Sequence, residues 1–345
     1  MTLRELNRTL LARQLLLERG RLSVSNAVSR LAALQAQYMP SPYVALWTRL
    51  AGFRKEQLTR ALVRRDVVYG TIVRPTLHVV ARRDYPLYAA AQLAHTRREP
   101  ERRGLDVEAA RAALPDRPIG SKELDALVAG AIGSDDRWDV EFTRRALALL
   151  RLPPAGTWGP RGAIEYELWG EPLPSVQQGT LHIVRRTLAA FGPMTLDDVR
   201  HFTYLSRAQV EPALETMRRL EDDEGRVLHD VPRGLRVSAD VAAPVRFLPM
   251  FDSAIVAHHD RRRIIPLDYH ETVIRRVNAT TLAPVLVDGF VAGHWKVDRK
   301  RDMATLTVHP FAPIPRRFHG ELRREGEQLV RFADHDATSF SVRTA

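Results

Sequence analysis

Apolar residues near the start of the chain recur at three- and four-residue spacing, which is typical of amphipathic helices. Leucines follow this spacing from Leu3 to Leu17. Thr2 and Glu5 form a capping-box pattern in front of them, and Gly20 suits a helix end. The pattern therefore predicts a first helix over this stretch.

Two further helices and a break between them are predicted next. Ser25 can cap the second helix, which should end near Gln35, because the prolines at 40 and 42 favour extended backbone before them. Ser41 can then cap a third helix with Pro42 at its first position. A short helix follows over residues 57–63, so the segment is helical with an irregular stretch around Gln35.

A β-branched, apolar run from Val67 to Ala81, interrupted by Gly70 and Pro75, predicts a pair of strands. Three helices followed by a β-hairpin is the order of a winged-helix motif. A second copy is predicted from helical patterns over residues 121–130 and 140–150. The ends of the glycine- and proline-rich residues 152–169 would pair as its wing.

A third copy begins with a helix over residues 179–190. Capping patterns at Thr195 and Ser206 start two more helices, and residues 226–237 form a hairpin around a Pro-Arg-Gly turn. Short β-like runs follow from Val245, with a two-residue hairpin at Asp288-Gly289. Residues 320–332 then predict a terminal helix.

The predicted fold class is α+β, with tandem winged-helix (helix-turn-helix) motifs and a C-terminal antiparallel β-rich segment. The expected units are an N-terminal winged-helix module (1–100), a second module (101–175), a third module (176–244) and the C-terminal segment with its terminal helix (245–345).

Composition and charge narrow the classes of function. The 345 residues contain 52 Lys and Arg against 41 Asp and Glu, a net charge of +11, and only four of the basic residues are lysines. Arginine forks onto phosphate oxygens, so a polyanion is the leading partner, although a codon-biased genome also explains arginine in place of lysine. There is no cysteine, which excludes disulfides and thiolate metal sites and fits a reducing cytoplasm. No long apolar run or signal-peptide core is present, so neither a membrane nor export is expected.

The most distinctive chemistry lies in the stretch LQAQ, where Gln35 and Gln37 are two residues apart. Two such side chains share a face only if the backbone is extended. An amide does not titrate near neutral pH, but it can hold a water by donating and accepting hydrogen bonds. That suffices when the leaving group departs readily, as a purine alkylated at N7 or N3 does. On spacing alone the motif is weak, because short pairs of this kind also arise by chance.

Other residues are candidates for the same site or for DNA contacts. Arg74, Thr76 and His78 alternate along a predicted strand face and could contact phosphate or the water, or serve the fold. Basic candidates further along the chain are Arg261, Arg262 and Arg263, which could bind phosphate or form a solvated turn. Aromatic candidates are Trp158 and Trp295. Their rings could stack on bases, but the favoured alternative is that they anchor their hairpins by packing.

A metal site is not expected from the sequence. His258, His259 and Asp260 are consecutive, so in a strand they point in opposite directions, and no second ligand pair at helical spacing accompanies them. Neither a metal nor an organic cofactor is implied.

Several blocks of the sequence, taken in order, resemble the AlkZ/YcaQ family of winged-helix DNA glycosylases. They are LNRTLLARQLLLERG, ALQAQYMPSPYVALWTRLAGF, RPTLHVVARRDY, RLPPAGTW, RFLPMFDSAIVAHHDRRR and VLVDGFVAGHWKVDR. The resemblance spans nearly the whole chain and is weakest over residues 97–117 and after Val308. It implies tandem winged-helix motifs that form a concave, basic surface for double-stranded DNA.

The resemblance also implies a reaction and its residues. Members remove N7-alkylated purines, and some unhook interstrand crosslinks left by natural-product alkylators. Their catalytic element is Gln-x-Gln in the AlkZ branch and Gln-x-Asp in the YcaQ branch, which assigns catalysis to Gln35 and Gln37 and sorts this chain with the AlkZ branch. We expect a monomeric, cytoplasmic, monofunctional glycosylase in which Gln37 holds the water. The alternative is a non-enzymatic winged-helix DNA binder, either a regulator or a self-resistance protein that covers lesions.

Overall fold

The computed structural model describes residues 1–74, 76–159, 162–275, 280–334 and 336–345, and shows a mixed α+β protein. Pro75, part of the predicted first hairpin, lies outside the described residues. The elements of the N-terminal segment are α1 (Leu3–Arg13), α2 (Val24–Arg30), β1 (Leu34–Gln35), α3 (Ser41–Arg49), α4 (Lys55–Val63), β2 (Val67–Val73) and β3 (Thr76–Ala81).

Helix α1 starts where the pattern predicts, but both α1 and α2 end earlier, and α2 starts at a different cap. Both hydrogen bonds of the Thr2–Glu5 capping box are present, but α1 stops at Arg13. The cap of α2 is Ser23, not Ser25, and this helix ends at Arg30. Ala32 follows with a φ of 67°, so the chain turns into a left-handed conformation and enters β1.

The predicted role of Ser41 as a helix cap is wrong. Pro40 holds the cap position of α3, and Ser41 is its first helical residue. The hydroxyl of Ser41 instead donates to the carbonyl of Met250, 2.8 Å away. This bond ties the start of α3 to the C-terminal half of the protein.

The next segment builds a second group of helices and a second hairpin. Its elements are α5 (Tyr85–Thr96), α6 (Arg98–Arg103), α7 (Val107–Ala112), β4 (Ile119–Gly120), α8 (Ser121–Ile132), α9 (Arg137–Ala146), β5 (Leu149–Arg151) and β6 (Glu165–Leu168). The helix predicted over 140–150 is too long, because α9 ends at Ala146 and strand β5 follows. Strands β5 and β6 pair antiparallel, but β5 precedes residues 152–169, so only the β6 side of the predicted wing lies where the sequence placed it.

One sheet joins the first two segments in the order β1-β3-β2-β5-β6-β4. The junction is short: Tyr69 lies opposite Arg151, and Gly70 lies opposite Leu150. A Cβ on Gly70 would come within 2.5 Å of the Tyr85 ring, so a side chain at this position would displace α5. The sheet therefore places residues far apart in sequence along one surface.

The third segment contains α10 (Val176–Phe191), α11 (Leu196–Thr203), α12 (Arg207–Glu215), β7 (Arg218–Glu221) and β8 (Val227–Asp230). Capping boxes start α11 and α12 at Thr195 and Ser206, which confirms both predicted starts. The predicted hairpin around Pro-Arg-Gly is wrong. Strand β8 pairs antiparallel with β7, which precedes it in the sequence, and not with residues after the Pro-Arg-Gly turn. The turn lies at Asp222, whose carboxylate accepts from the backbone N–H groups of Glu224 and Arg226.

The C-terminal segment forms a second large sheet, ordered β15-β14-β13-β12-β9. Its elements are β9 (Arg246–Phe247), α13 (Ser253–Val256), α14 (His270–Val273), β10 (Ile274–Arg275), β11 (Thr280–Thr281), β12 (Pro284–Val287), β13 (Phe290–Lys300), β14 (Met303–Pro310), α15 (His319–Ala333) and β15 (Ser339–Thr344). The Asp288-Gly289 hairpin and the terminal helix are confirmed. The expectation of a wholly antiparallel sheet is wrong, since β15 runs parallel to β14.

Buried ion pairs connect the N-terminal helices to the later segments. Arg13 meets Asp230 at 2.7 Å, and Arg49 meets Asp252 at 2.7 Å; all four side chains are at most 2% exposed. A charge removed from water needs such a partner, so these pairs fix which segments pack together. Within the described residues, no helix is long and apolar enough to span a bilayer.

Candidate active site

The Gln-x-Gln segment is extended, as a shared site requires. Gln35 lies in β1 directly opposite His78 in β3. Opposite residues of an antiparallel pair project to the same face of the sheet. The pairing continues one residue further, because the Ala36 N–H donates to the Leu77 carbonyl at 2.8 Å. Gln37 therefore leaves the end of the strand beside the turn that joins β2 and β3.

The two amides are bonded to each other. Gln35 is buried, with 7% of its surface exposed, whereas Gln37 is exposed. The Nε2 of Gln35 donates to the Oε1 of Gln37. Within the described residues, no protein group bonds to the Nε2 of Gln37. The buried amide thus orients the exposed one and leaves its N–H groups for a ligand.

A cleft of about 550 Å³ opens beside Gln37. One wall comes from the first segment and includes Gln37, Met39, Thr71 and Thr76; the other comes from α9, β5 and β6 and includes Glu141, Arg144, Arg145, Arg151 and Tyr166. Gln35 does not line this cleft and reaches it through Gln37.

The second wall carries positive charge. Arg145 pairs with Glu141 at 2.8 Å, and Arg144 pairs with Asp125 at 2.6 Å. Arg151 adds a third guanidinium. Sequence reasoning missed this wall; the available signal was the arginine pair in RRALALLR, next to the predicted wing. Two of these arginines are already paired with acids, so Arg151 is the guanidinium that, among the described residues lining the cleft, is most available to a phosphate group.

His78 is a neutral group beneath the site. Its ring is buried, and its Nδ1 lies 2.8 Å from the Thr76 carbonyl. A carbonyl only accepts, so Nδ1 carries the proton and Nε2 is left as an acceptor. Burial, and to a smaller extent the charge of Arg74, lowers the pKa of His78 to about 4. His78 is therefore uncharged at neutral pH.

We expect this buried ring to make the protein sensitive to acid. The pKa of His78 is about 4 when folded, against 6.5 for an ordinary histidine, so the unfolded chain takes up the proton first as the pH falls. Stability is then lost between these two values. The free energy of unfolding should be about 2 kcal/mol lower at about pH 5 than at about pH 7 from this group alone.

Urea unfolding at the two pH values measures this difference. A His78→Asn variant is the control, because its amide can donate to the Thr76 carbonyl but does not titrate. The variant should lose about 2 kcal/mol of the pH dependence. An unchanged pH dependence would show that the buried ring is not its source.

Arg74 departs from the predicted alternation along a strand. It lies in the turn after β2 with a φ of 47°, and its guanidinium donates to the Val256 carbonyl at 3.1 Å. Burial lowers its pKa. Thr76 and His78 do share one face of β3, but Arg74 extends away from them towards α13.

Both tryptophans are packed, as the favoured alternative expects. The Trp295 indole N–H donates to the Leu248 carbonyl at 2.8 Å. Trp158 packs edge-on against Tyr43 and Phe332, and the Lys55 ammonium lies 3.8 Å from the centre of its ring. These contacts anchor the segments that carry the rings.

The three consecutive arginines lie in different surroundings. Arg263 is buried and donates to the Pro193 carbonyl at 2.7 Å, so it serves the fold and not a phosphate-binding surface. Arg262 pairs with Glu224 at 2.8 Å and with Asp260 at 2.8 Å. Arg261 donates to the ring of His201 at 3.0 Å.

The neighbouring His258 also makes contacts within the protein. Its ring is buried, and its Nε2 lies 3.2 Å from the Phe191 carbonyl. Asp260 also pairs with Arg226. Among the described residues, no group of at least three His, Asp or Glu side chains could hold a metal ion.

The chain is similar to known proteins in both sequence and fold. A family model described as DNA glycosylase AlkZ-like matches residues 28–332. The Streptomyces sahachiroi DNA glycosylase AlkZ has a similar fold, with a TM-score of 0.81, 19% sequence identity and full coverage of both chains. No curated protein sequence matches the chain. Because the family model covers most of the chain, this protein belongs to the AlkZ-like family of DNA glycosylases.

Proposed function

We propose that this glycosylase hydrolyses the N-glycosidic bond of cationic N7-alkylated purines in double-stranded DNA. The observation that carries the proposal is the amide pair, in which buried Gln35 donates to exposed Gln37 at the edge of an arginine-lined cleft. Neither amide titrates, so the site suits a substrate whose base leaves without a strong acid or base.

Gln37 is the proposed water-binding residue. Its Oε1 accepts from Gln35 and keeps a second lone pair for a water O–H, while its Nε2 can donate to the water oxygen. Gln35 is a positioning residue, since it orients Gln37 and does not line the cleft. Positioning a nucleophile in this way contributes to the rate without changing its protonation state.

The reaction balances without a cofactor. The bond between the sugar C1′ and purine N9 breaks, and its electron pair neutralises the cationic base, which leaves as a neutral purine. The water oxygen forms the new bond to C1′ and releases a proton to solvent. The developing positive charge on the sugar is stabilised by the Gln37 carbonyl dipole and by the DNA phosphates.

Strand cleavage is not part of the proposal. A glycosylase that also cuts the strand uses an amine to form a Schiff base with the sugar. Among the described residues, no lysine lines the cleft. We therefore propose a monofunctional enzyme that acts as a monomer, with its helices and hairpins arranged as tandem winged-helix motifs around the DNA. Bulky natural-product adducts and interstrand crosslinks are proposed substrates alongside simple methyl adducts.

Base release from a duplex with one N7-methylguanine tests the proposal. With protein in excess, we expect free N7-methylguanine to form faster than its spontaneous loss, leaving an abasic site in an uncut strand. The same duplex with a bulky N7 adduct tests the wider substrate range. DNA binding without base release from either duplex would contradict the proposal and favour a non-enzymatic lesion binder.

A further inference from the structure

A second concave surface lies between α5 and the α11–α12 junction. We call it the Tyr204 shelf; it is lined by His95, Arg98, Arg200, His201, Tyr204 and Arg207, and has a volume of about 620 Å³. Arg98 and Arg207 are exposed. Asp197, which also lines the shelf, pairs with Arg200 at 3.3 Å, and Arg207 pairs with Glu211 at 2.9 Å. With Arg98 added, the arginines outnumber these acids, so the shelf is a basic surface lined by other residues than the cleft at Gln37.

Tyr204 occupies a position where glycine is usual. It follows α11 with a φ of 63°, in the left-handed region that a residue with a Cβ adopts at a cost. Half of this residue is nevertheless exposed, and its ring packs edge-on against His95, with centroids 5.4 Å apart. A strained, exposed tyrosine beside arginines contributes little to the core. It is well placed to donate its hydroxyl to a phosphate.

The shelf continues from the proposed active site. Arg145 lines the cleft at Gln37 and also a small cavity that is lined by Thr96, the residue after His95 on α5. Arg74, two residues before Thr76, donates to the Val256 carbonyl at 3.1 Å, and the ring of His201 on the shelf hydrogen-bonds the backbone of the same residue. Two arginines thus lie between the cleft and the shelf.

We propose that the Tyr204 shelf binds the DNA backbone to one side of the lesion, with Arg98, Arg200 and Tyr204 contacting phosphates. This inference rests on the proposed function, because it takes DNA as the ligand. Phosphate contacts of this kind set the position of a protein on a duplex without reading its sequence. The shelf would therefore hold any sequence while Gln37 acts on the damaged nucleotide.

Affinity for an undamaged duplex, measured by fluorescence anisotropy over a range of salt concentrations, tests the proposal. An Arg98→Ala, Arg200→Ala double variant should bind roughly tenfold more weakly at about 0.1 M salt, and the salt dependence of log Kd should fall by roughly two units of slope. Arg316→Ala with Arg324→Ala is the matched control, since both arginines are exposed and belong to the C-terminal segment. The Kd of the control should stay within about twofold of the wild-type Kd, because its arginines lie outside the proposed DNA contact.

Tyr204→Gly separates function from folding. Glycine removes the left-handed strain, so the melting temperature should stay the same or rise, while the affinity for DNA falls roughly tenfold. Tyr204→Phe should weaken binding as much as Tyr204→Gly, because the hydroxyl makes the proposed contact. Unchanged affinity in the shelf variants, or an equal loss in the control, would overturn the inference.

Base release distinguishes this inference from the proposed function. If wild type releases the base and the shelf variants bind normally, only the shelf proposal fails. If wild type binds DNA through the shelf but releases no base, the shelf stands and the proposed reaction fails.

Discussion

Replacing Gln37 with alanine is expected to lower the single-turnover rate of base release by about 100-fold or more. The variant loses both the acceptor and the donor that hold the water. Gln35→Ala should cost less, about tenfold, because Gln35 acts by orienting Gln37. The double variant should resemble Gln37→Ala alone, since once Gln37 is absent Gln35 has nothing to orient.

The control for these variants is Gln177→Ala, an exposed glutamine on α10 that does not line the cleft. All variants should bind undamaged DNA as wild type does, so that a lost rate reports chemistry and not affinity. Release by the double variant at the wild-type rate would remove catalysis from the Gln-x-Gln segment. A double variant much slower than Gln37→Ala would instead show that Gln35 contacts the substrate itself.

A Gln37→Glu variant adds a readout that a structural role would not change. The wild-type rate should be flat with pH from about 5 to 9, because the amides do not titrate and the pKa of His78 is about 4. A carboxylate at position 37 can accept a proton from the water once it is ionised, so the rate of the variant should rise with pH over about pH 4 to 6. Identical flat profiles would argue against contact between residue 37 and the water.

The extended Gln-x-Gln segment could be predicted because its causes are local. The prolines at 40 and 42 limit the backbone, and the two-residue spacing requires an extended chain if the amides share a site. The arginines of the second wall are visible in the sequence, but their position opposite Gln37 could not be predicted. The wall is brought there by the pairing of Tyr69 with Arg151 and Gly70 with Leu150, a contact between strands about eighty residues apart.

Helix ends and the third hairpin show a different limit. Leu15 and Ala32 adopt positive φ values without being glycine, so the sequence carries no conventional signal for the ends of α1 and α2. At the third hairpin, the Asp222 carboxylate builds a turn from its own neighbouring N–H groups, and that turn replaced the Pro-Arg-Gly turn that composition favoured. Tertiary packing and side-chain hydrogen bonds decided these boundaries.

The support behind the Gln-x-Gln segment should depend on the buried pair of Arg49 and Asp252. The two side chains form paired hydrogen bonds of 2.7 and 2.8 Å, and each is 1% exposed. Arg49→Met leaves a buried carboxylate without its partner and is expected to lower the free energy of unfolding by about 3–5 kcal/mol. Urea unfolding at about pH 7 measures the loss.

Adding Asp252→Asn to Arg49→Met should recover part of that stability, because the uncompensated charge is gone and asparagine can still cap α13 at the Ala254 N–H. Recovery of about 1 kcal/mol or more identifies the unpaired charge as the main cost. A double variant no more stable than Arg49→Met would assign the loss to packing.

The pair matters for the site because Ser253, next to Asp252, donates to the Ala33 carbonyl two residues before Gln35. Base release by the double variant should therefore recover together with its stability.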